Sequence, residues 1–174
     1  MSVRIFTVGH STHEADEFGR LLRAHGITGL ADIRTVPKSR RHPHFERGAL
    51  EAWAASGGVA YRHFPGLGGL RRPRPDSVNG GWRHESFRGY ADHMQSPIFR
   101  EAVAELLLFA SRHVVAAMCA EAKWWQCHRQ LLADALVARG AEVRHIMSVK
   151  AAEPHEVTPF ARIDGEIVTY PGLI

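Results

Sequence analysis

At 174 residues, with 45% hydrophobic and 23% charged side chains, the chain is sized and composed as one globular domain able to bury a core without disulfide or metal staples. It has no internal repeat, low-complexity tract or block of like charge, no run near the ~20 apolar residues of a spanning helix, and too short an apolar start in MSVRIFTVGH for a signal peptide, so a cytoplasmic protein without a membrane partner is expected. The formal charge of +4 gathers in RTVPKSRRHPHFER (34–47) and RRPRPDSVNGGWRHESFR (71–88), loops that suit phosphate or nucleic acid or simply form solvated faces.

Residues 4–8 (RIFTV) predict a buried strand, followed by GHSTH and a helix over 14–24 with Phe18, Leu21 and Leu22 on one face. TGLADI (28–33) reads as the second strand, a helix over 46–56 follows the first basic loop, and 59–64 is the third strand. A loop rich in Gly, Pro and Arg leads into a helical region over about 87–111, broken or bent near Pro97. HVVAAMC (113–119) is a short apolar fourth strand. HRQLLADALVARG then places Leu131, Leu132, Ala135 and Leu136 at helical spacing and stops at Gly140, and EVRHIM (142–147) is the fifth strand. This alternation predicts a three-layer α/β domain over residues 1–147, a mostly parallel sheet of about five strands with helices on both faces. Residues 148–174 are expected to be a C-terminal extension packed on the same domain. In it FARIDGEIVTY, with Asp164-Gly165 between alternating runs, predicts a β-hairpin appendage on a sheet edge.

In an open parallel sheet, ligands sit beyond the carboxyl ends of the strands. Here those ends carry Gly9, His10, Ser11 and Thr12, then Asp32 and Arg34, then His63, then Cys119 and Glu121. Both cysteines fall in CAEAKWWQCHR (119–129). Cys127 lies near a predicted helix start, where free backbone N–H groups favour an anion, and His128 and Arg129 add donors, so a thiolate is expected to form readily there. Cys127 is then a candidate nucleophile with Cys119 as its resolving partner, or the reverse, and His10 or Glu121 moves protons. Gly9, Ser11, Thr12, Asp32, Arg34, Lys38, Arg40, Arg41, His128, Arg129 and backbone amides are the candidates for holding a small anionic or nucleotide-like substrate.

Other readings compete for the same residues. Cys119 serves equally as a small buried hydrophobe, Asp32 and Arg34 as an internal ion pair, His10 as a helix cap, and Tyr90 and Asp92 as packing and capping residues. A metal site assembled from Cys119, Cys127, His128 and His10 is a further alternative, although C-x7-C is not the knuckle spacing of structural zinc. Nucleic acid is another, with Trp124 and Trp125 stacking on bases and Lys38, Arg40, Arg41, Arg71 and Arg72 on phosphates. No nucleotide-binding glycine fingerprint or P-loop is present, so no cofactor is expected.

TVGHST (7–12), ADIRTVPKSRRHPHF (31–45), PGLGG (65–69), YADHM (90–94), MCAE (118–121) and CHRQLLADAL (127–136) together resemble the signature blocks of the domain of unknown function 488 family. That resemblance spans roughly the first 147 residues and implies an α/β domain without an assigned activity; the EAKWWQ loop departs from the more polar stretch usual there. More distantly, Asp32-Ile33-Arg34 and Cys119, followed by Arg129, are similar in order to rhodanese-like sulfurtransferases. Their cysteine ends a strand in an anion-wrapping loop, which is shorter than this one and carries a glycine that this one lacks.

Overall fold

The computed structural model describes residues 2–172. Its centre is a six-stranded sheet built from β1 (Arg4–Gly9), β2 (Gly29–Asp32), β3 (Ala60–His63), β4 (Val115–Cys119), β5 (Glu142–His145) and β6 (Glu153–Pro154), in the order β3-β2-β4-β1-β5-β6. The first five are parallel to their neighbours, and β6 runs antiparallel to β5 at the edge.

Alternation along the strands divides the core in two, because successive side chains of a strand point to opposite faces. Phe6, Val8, Leu30, Ala116 and Met118 face α1 (Ala15–Ala24) and α2 (Arg47–Ser56), through Phe18, Leu22 and Leu50. Ile5, Ala31, Val115, Ala117 and Cys119 face the other way, into a cluster with Tyr90 of α3 (Glu85–His93), Phe99 and Leu106 of α4 (Pro97–Arg112) and Leu132 of α5 (Arg129–Ala138). The predicted break at Pro97 is complete. Proline takes the first turn of α4, where its missing N–H costs nothing, and the Ser96 side chain accepts from the Phe99 amide at 3.2 Å. Gly140 ends α5 with φ 86°, and Gly140 and Ala141 return their amides to Val137 and Leu136.

The hairpin forms from β7 (Arg162–Asp164) and β8 (Ile167–Thr169), turning at Gly165 and Glu166, but not on the sheet edge. It is a separate two-stranded sheet. Val168 and the following Tyr170 are buried in the core cluster that also holds α5, and the edge position goes to the two residues of β6. Tyr170 decides this placement, since its hydroxyl donates to buried Asp134 of α5 at 2.7 Å and its amide to Asn79 at 2.9 Å. No described helix is long and apolar enough to cross a membrane.

Candidate functional site

β1 and β4 are adjacent, yet the chain leaves them for opposite faces, β1 towards α1 and β4 towards α5. A crevice opens at such a divergence. It is a pocket of about 430 Å³ whose walls come from four places: Arg34 and Lys38 after β2, Gly69 and Leu70 in the long loop, Phe87 and Tyr90 of α3, and Cys119, Glu121, Gln126, Cys127 and His128 after β4.

Cys119 points into this side because it shares a face with Val115 and Ala117. Cys127 reaches it from the residue before the helix cap, with its sulfur 2.8 Å from that of Cys119. Both thiols are free and nearly covered, at 2% and 4% exposure. Burial by itself pushes both thiols up, and Cys119 stays well above the ordinary thiol range. For Cys127 the sum goes the other way. The hydrogen bond with Cys119, the His128 ring and the Arg129 charge outweigh burial and hold it well below that range. The Arg129 amide, the first of α5, also points at the Cys127 sulfur from 3.5 Å. Of the two thiols, Cys127 is thus the easier to ionise and Cys119 the one that holds its proton longer.

His128 is built to serve that sulfur. Its Nε2 lies 2.9 Å from the Ile33 carbonyl, which only accepts, so Nε2 carries the hydrogen. Nδ1 is then the nitrogen left to exchange a proton with the Cys127 Sγ, which it faces at 3.4 Å. Tyr90 lies against the ring at 5.1 Å between centroids, its own hydroxyl donating to the Leu67 carbonyl at 2.9 Å.

Arg129 is fully buried and does not line the pocket, which corrects the expectation that it holds the substrate anion. Its Nη2 donates to the Glu121 and Ala122 carbonyls at 2.6 and 3.2 Å, and its Nη1 to Thr7 Oγ1 at 3.3 Å. It thus staples the loop after β4, and its positive charge favours ionisation of Cys127. Thr7 continues a buried chain: its Oγ1 is 2.6 Å from His145 Nδ1, His145 Nε2 is 2.8 Å from His155 Nδ1, and His155 Nε2 is 2.7 Å from Asp134. Arg129 donates at one end and a carboxylate accepts at the other, so the hydrogen bonds of this chain can all run in one direction. Burial above all holds His145 down to about 3, and the nearby positive charge of Arg129 adds to it.

The remaining sequence candidates divide sharply. Arg34 and Lys38 line the pocket. Asp32 is fully buried and gripped by the Arg34 side chain at 2.9 and 2.7 Å and its amide at 3.1 Å, with the Tyr61 hydroxyl adding a fourth bond at 2.5 Å, so it aims Arg34. His10 lies behind Arg34 and off the pocket. Its Nδ1 donates to the Ser11 carbonyl at 3.0 Å, its Nε2 meets Arg34 Nη1 at 3.4 Å, and its ring stacks on Phe45 at 4.3 Å. Burial is the main reason that His10 is held down to about 4. The Glu121 carboxylate is at the exposed rim, while its backbone carbonyl is the part the interior uses. Gly9 serves packing, since a Cβ there would lie 1.7 Å from the Glu121 carbonyl oxygen. Ser11, Thr12, Arg40 and Arg41 lie outside the lining.

The alternatives lose parts of their sites. Among the described residues no group of three or more His, Cys, Asp or Glu side chains is placed to hold a metal ion, and His10 bonds Arg34 and Ser11 instead of the sulfurs. Trp124 is stacked on His145 at 4.2 Å and is not free to take a base, and Arg71 spends its guanidinium on the Gly68 and Pro65 carbonyls. Asp92 holds the loop before α3 by accepting from Arg74, Ser77 and Asn79.

Two things escaped the sequence reading. One is the contribution of α3 and Gln126 to the pocket wall. The other is the Asp134–His155–His145–Thr7 chain, whose signal was polar residues at core-facing positions of otherwise apolar elements. Compared with known proteins, residues 14–136 match the model of the family described as "Domain of unknown function DUF488". No curated protein and no solved structure matches the chain.

Proposed function

The chain belongs to the family of the domain of unknown function DUF488, and from that premise we propose that this member is a thiol-dependent enzyme whose Cys127 thiolate attacks a small anionic substrate in a sulfur- or group-transfer reaction. The observation that carries this reading is the convergence on one sulfur of a neighbouring thiol at 2.8 Å, a histidine nitrogen at 3.4 Å and the first amide of α5 at 3.5 Å, in the wall of a pocket. A nucleophilic cysteine attacks as its thiolate, and a neighbouring donor, a histidine and a helix-start amide each favour that form. His128 takes the Cys127 proton at Nδ1 and returns it to the leaving group. Lys38 and the outer edge of Arg34 attract the substrate anion, and Asp32 keeps Arg34 in place. Pocket size fits a multi-atom ligand: about 430 Å³ lies within the range of small-molecule sites.

The test is alkylation of each cysteine in the native protein as a function of pH, read by mass spectrometry of the two peptides. The expected result is a Cys127 midpoint well below the ordinary thiol value of about 8.5 and a Cys119 midpoint above it. Resistance of both thiols until the protein unfolds overturns the proposal.

A further inference from the structure

Resting on the reading of Cys127 as the nucleophile, we propose that the bond this site attacks is a sulfur–sulfur bond. Cys119 completes the reaction as the resolving thiol, and the pair exchanges its dithiol for the disulfide of a low-molecular-weight, carboxylate-bearing compound. The placement of the second sulfur carries the argument. At 2.8 Å the two sulfurs are in closer than van der Waals contact and short of a bond, for which the length is about 2.05 Å. Any adduct on Cys127 therefore forms within reach of Cys119.

The chemistry of that second attack restricts the substrate. A carbon-linked adduct, such as an acyl group, would only pass from one sulfur to the other. A sulfur-linked adduct leaves as a thiol when Cys119 displaces it, and the product is a stable Cys119–Cys127 disulfide. A peroxide would also yield that product, but the pocket is built for something larger. Its volume is about 430 Å³, Leu70 and Phe87 give it apolar wall, and Lys38 and Arg34 offer charge to carboxylates. Exposure of 2% and 4% at the thiols keeps a folded protein's disulfide from reaching them.

The steps balance without an outside oxidant. Cys127 thiolate attacks one sulfur of R–S–S–R, the S–S bond breaks, and R–S⁻ leaves with the proton from His128. Cys119 then attacks the Cys127 sulfur, the mixed disulfide breaks, and the second R–S⁻ takes the Cys119 proton. The protein loses two electrons and the substrate gains them. An external dithiol returns the pair to the reduced state by the same exchange. The order of attack is built in, because His128 Nδ1 and the first amide of α5 face the Cys127 sulfur and not that of Cys119. Once the adduct removes the charge of the Cys127 thiolate, Arg129 faces an un-ionised pair and favours ionisation of Cys119.

Glutathione disulfide, added to the full chain at pH 7, is the probe. Wild type should release both halves and close Cys119–Cys127, whereas Cys119→Ser, or Cys119→Ala if the serine variant folds poorly, should stop at a mixed disulfide on Cys127 with one half released. Cys127→Ser should react at Cys119 at least about tenfold more slowly. Cystamine, whose ends are cationic, should react about tenfold more slowly than glutathione disulfide, with the gap closing at high salt. A wild type that rests as the mixed disulfide, or a Cys127→Ser variant as fast as wild type, overturns the inference. If that same protein still alkylates at Cys127 with a low midpoint, the nucleophile reading stands alone; inertness of Cys127 to both reagents removes both.

Discussion

Two loops leave adjacent strands at the same edge of the sheet, and each begins with a polar residue that looks ready for chemistry: His10 after β1 and the cysteine-bearing loop after β4. The first is closed. Both nitrogens of His10 have partners and its ring is stacked on Phe45, so it has no nitrogen to offer a substrate. The second is open. His128, half-buried, likewise has one nitrogen on a backbone carbonyl, but its other nitrogen faces a sulfur in a pocket wall. The difference between a structural and a reactive histidine is thus where the second nitrogen points.

The largest effect that would break this comparison comes from beneath the open loop. Arg129→Met should destabilise the fold by about 2–4 kcal/mol, since it leaves the Glu121 and Ala122 carbonyls without their donor and takes one of two partners from the Thr7 hydroxyl. It should also raise the Cys127 alkylation midpoint; urea titration and peptide mass spectrometry read the two effects. Next is His128→Gln, whose amide can still bond the Ile33 carbonyl but cannot take a proton. Cys127 alkylation at pH 7 should slow by about tenfold, while His10→Gln should leave that rate alone. Equal slowing in both variants would end the distinction between the loops.

A smaller effect concerns acid stability. His10 and His145 are held near 4 and 3, so as pH falls below about 6.5 the unfolded chain binds protons that the folded chain refuses. Stability should be full above that value and fall with pH towards 4 and then 3. His10→Gln should flatten part of this slope in urea midpoints measured between pH 4 and 7. The smallest effect is expected for Lys38→Gln: protection of Cys127 by glutathione against alkylation should weaken by about two- to threefold, only at low ionic strength.

Much of the fold was legible because it depends on local pattern. Apolar runs gave the five parallel strands, helical spacing gave α1, α2 and α5, and Pro97 and Gly140 marked a start and a stop that backbone chemistry enforces. The hairpin was legible as a hairpin but not in its location. That location depends on Tyr170 meeting Asp134 and Asn79, residues far away in the chain.

The candidate site was legible in its members more than in their roles. Cys119, Cys127, Arg34, Lys38 and His128 do meet in one pocket. Arg129, adjacent to His128 in sequence, is turned inward by the helix and serves Thr7 and two carbonyls. By itself, then, the sequence determined the helices, the five parallel strands and which strand ends carry reactive groups, because these follow from periodicity and backbone restraints along the chain. Only the tertiary structure decided which of two similar histidines faces a sulfur, that the two sulfurs touch, and that a buried arginine lies beneath them. Those are distances between segments that the chain brings together only when the sheet is complete.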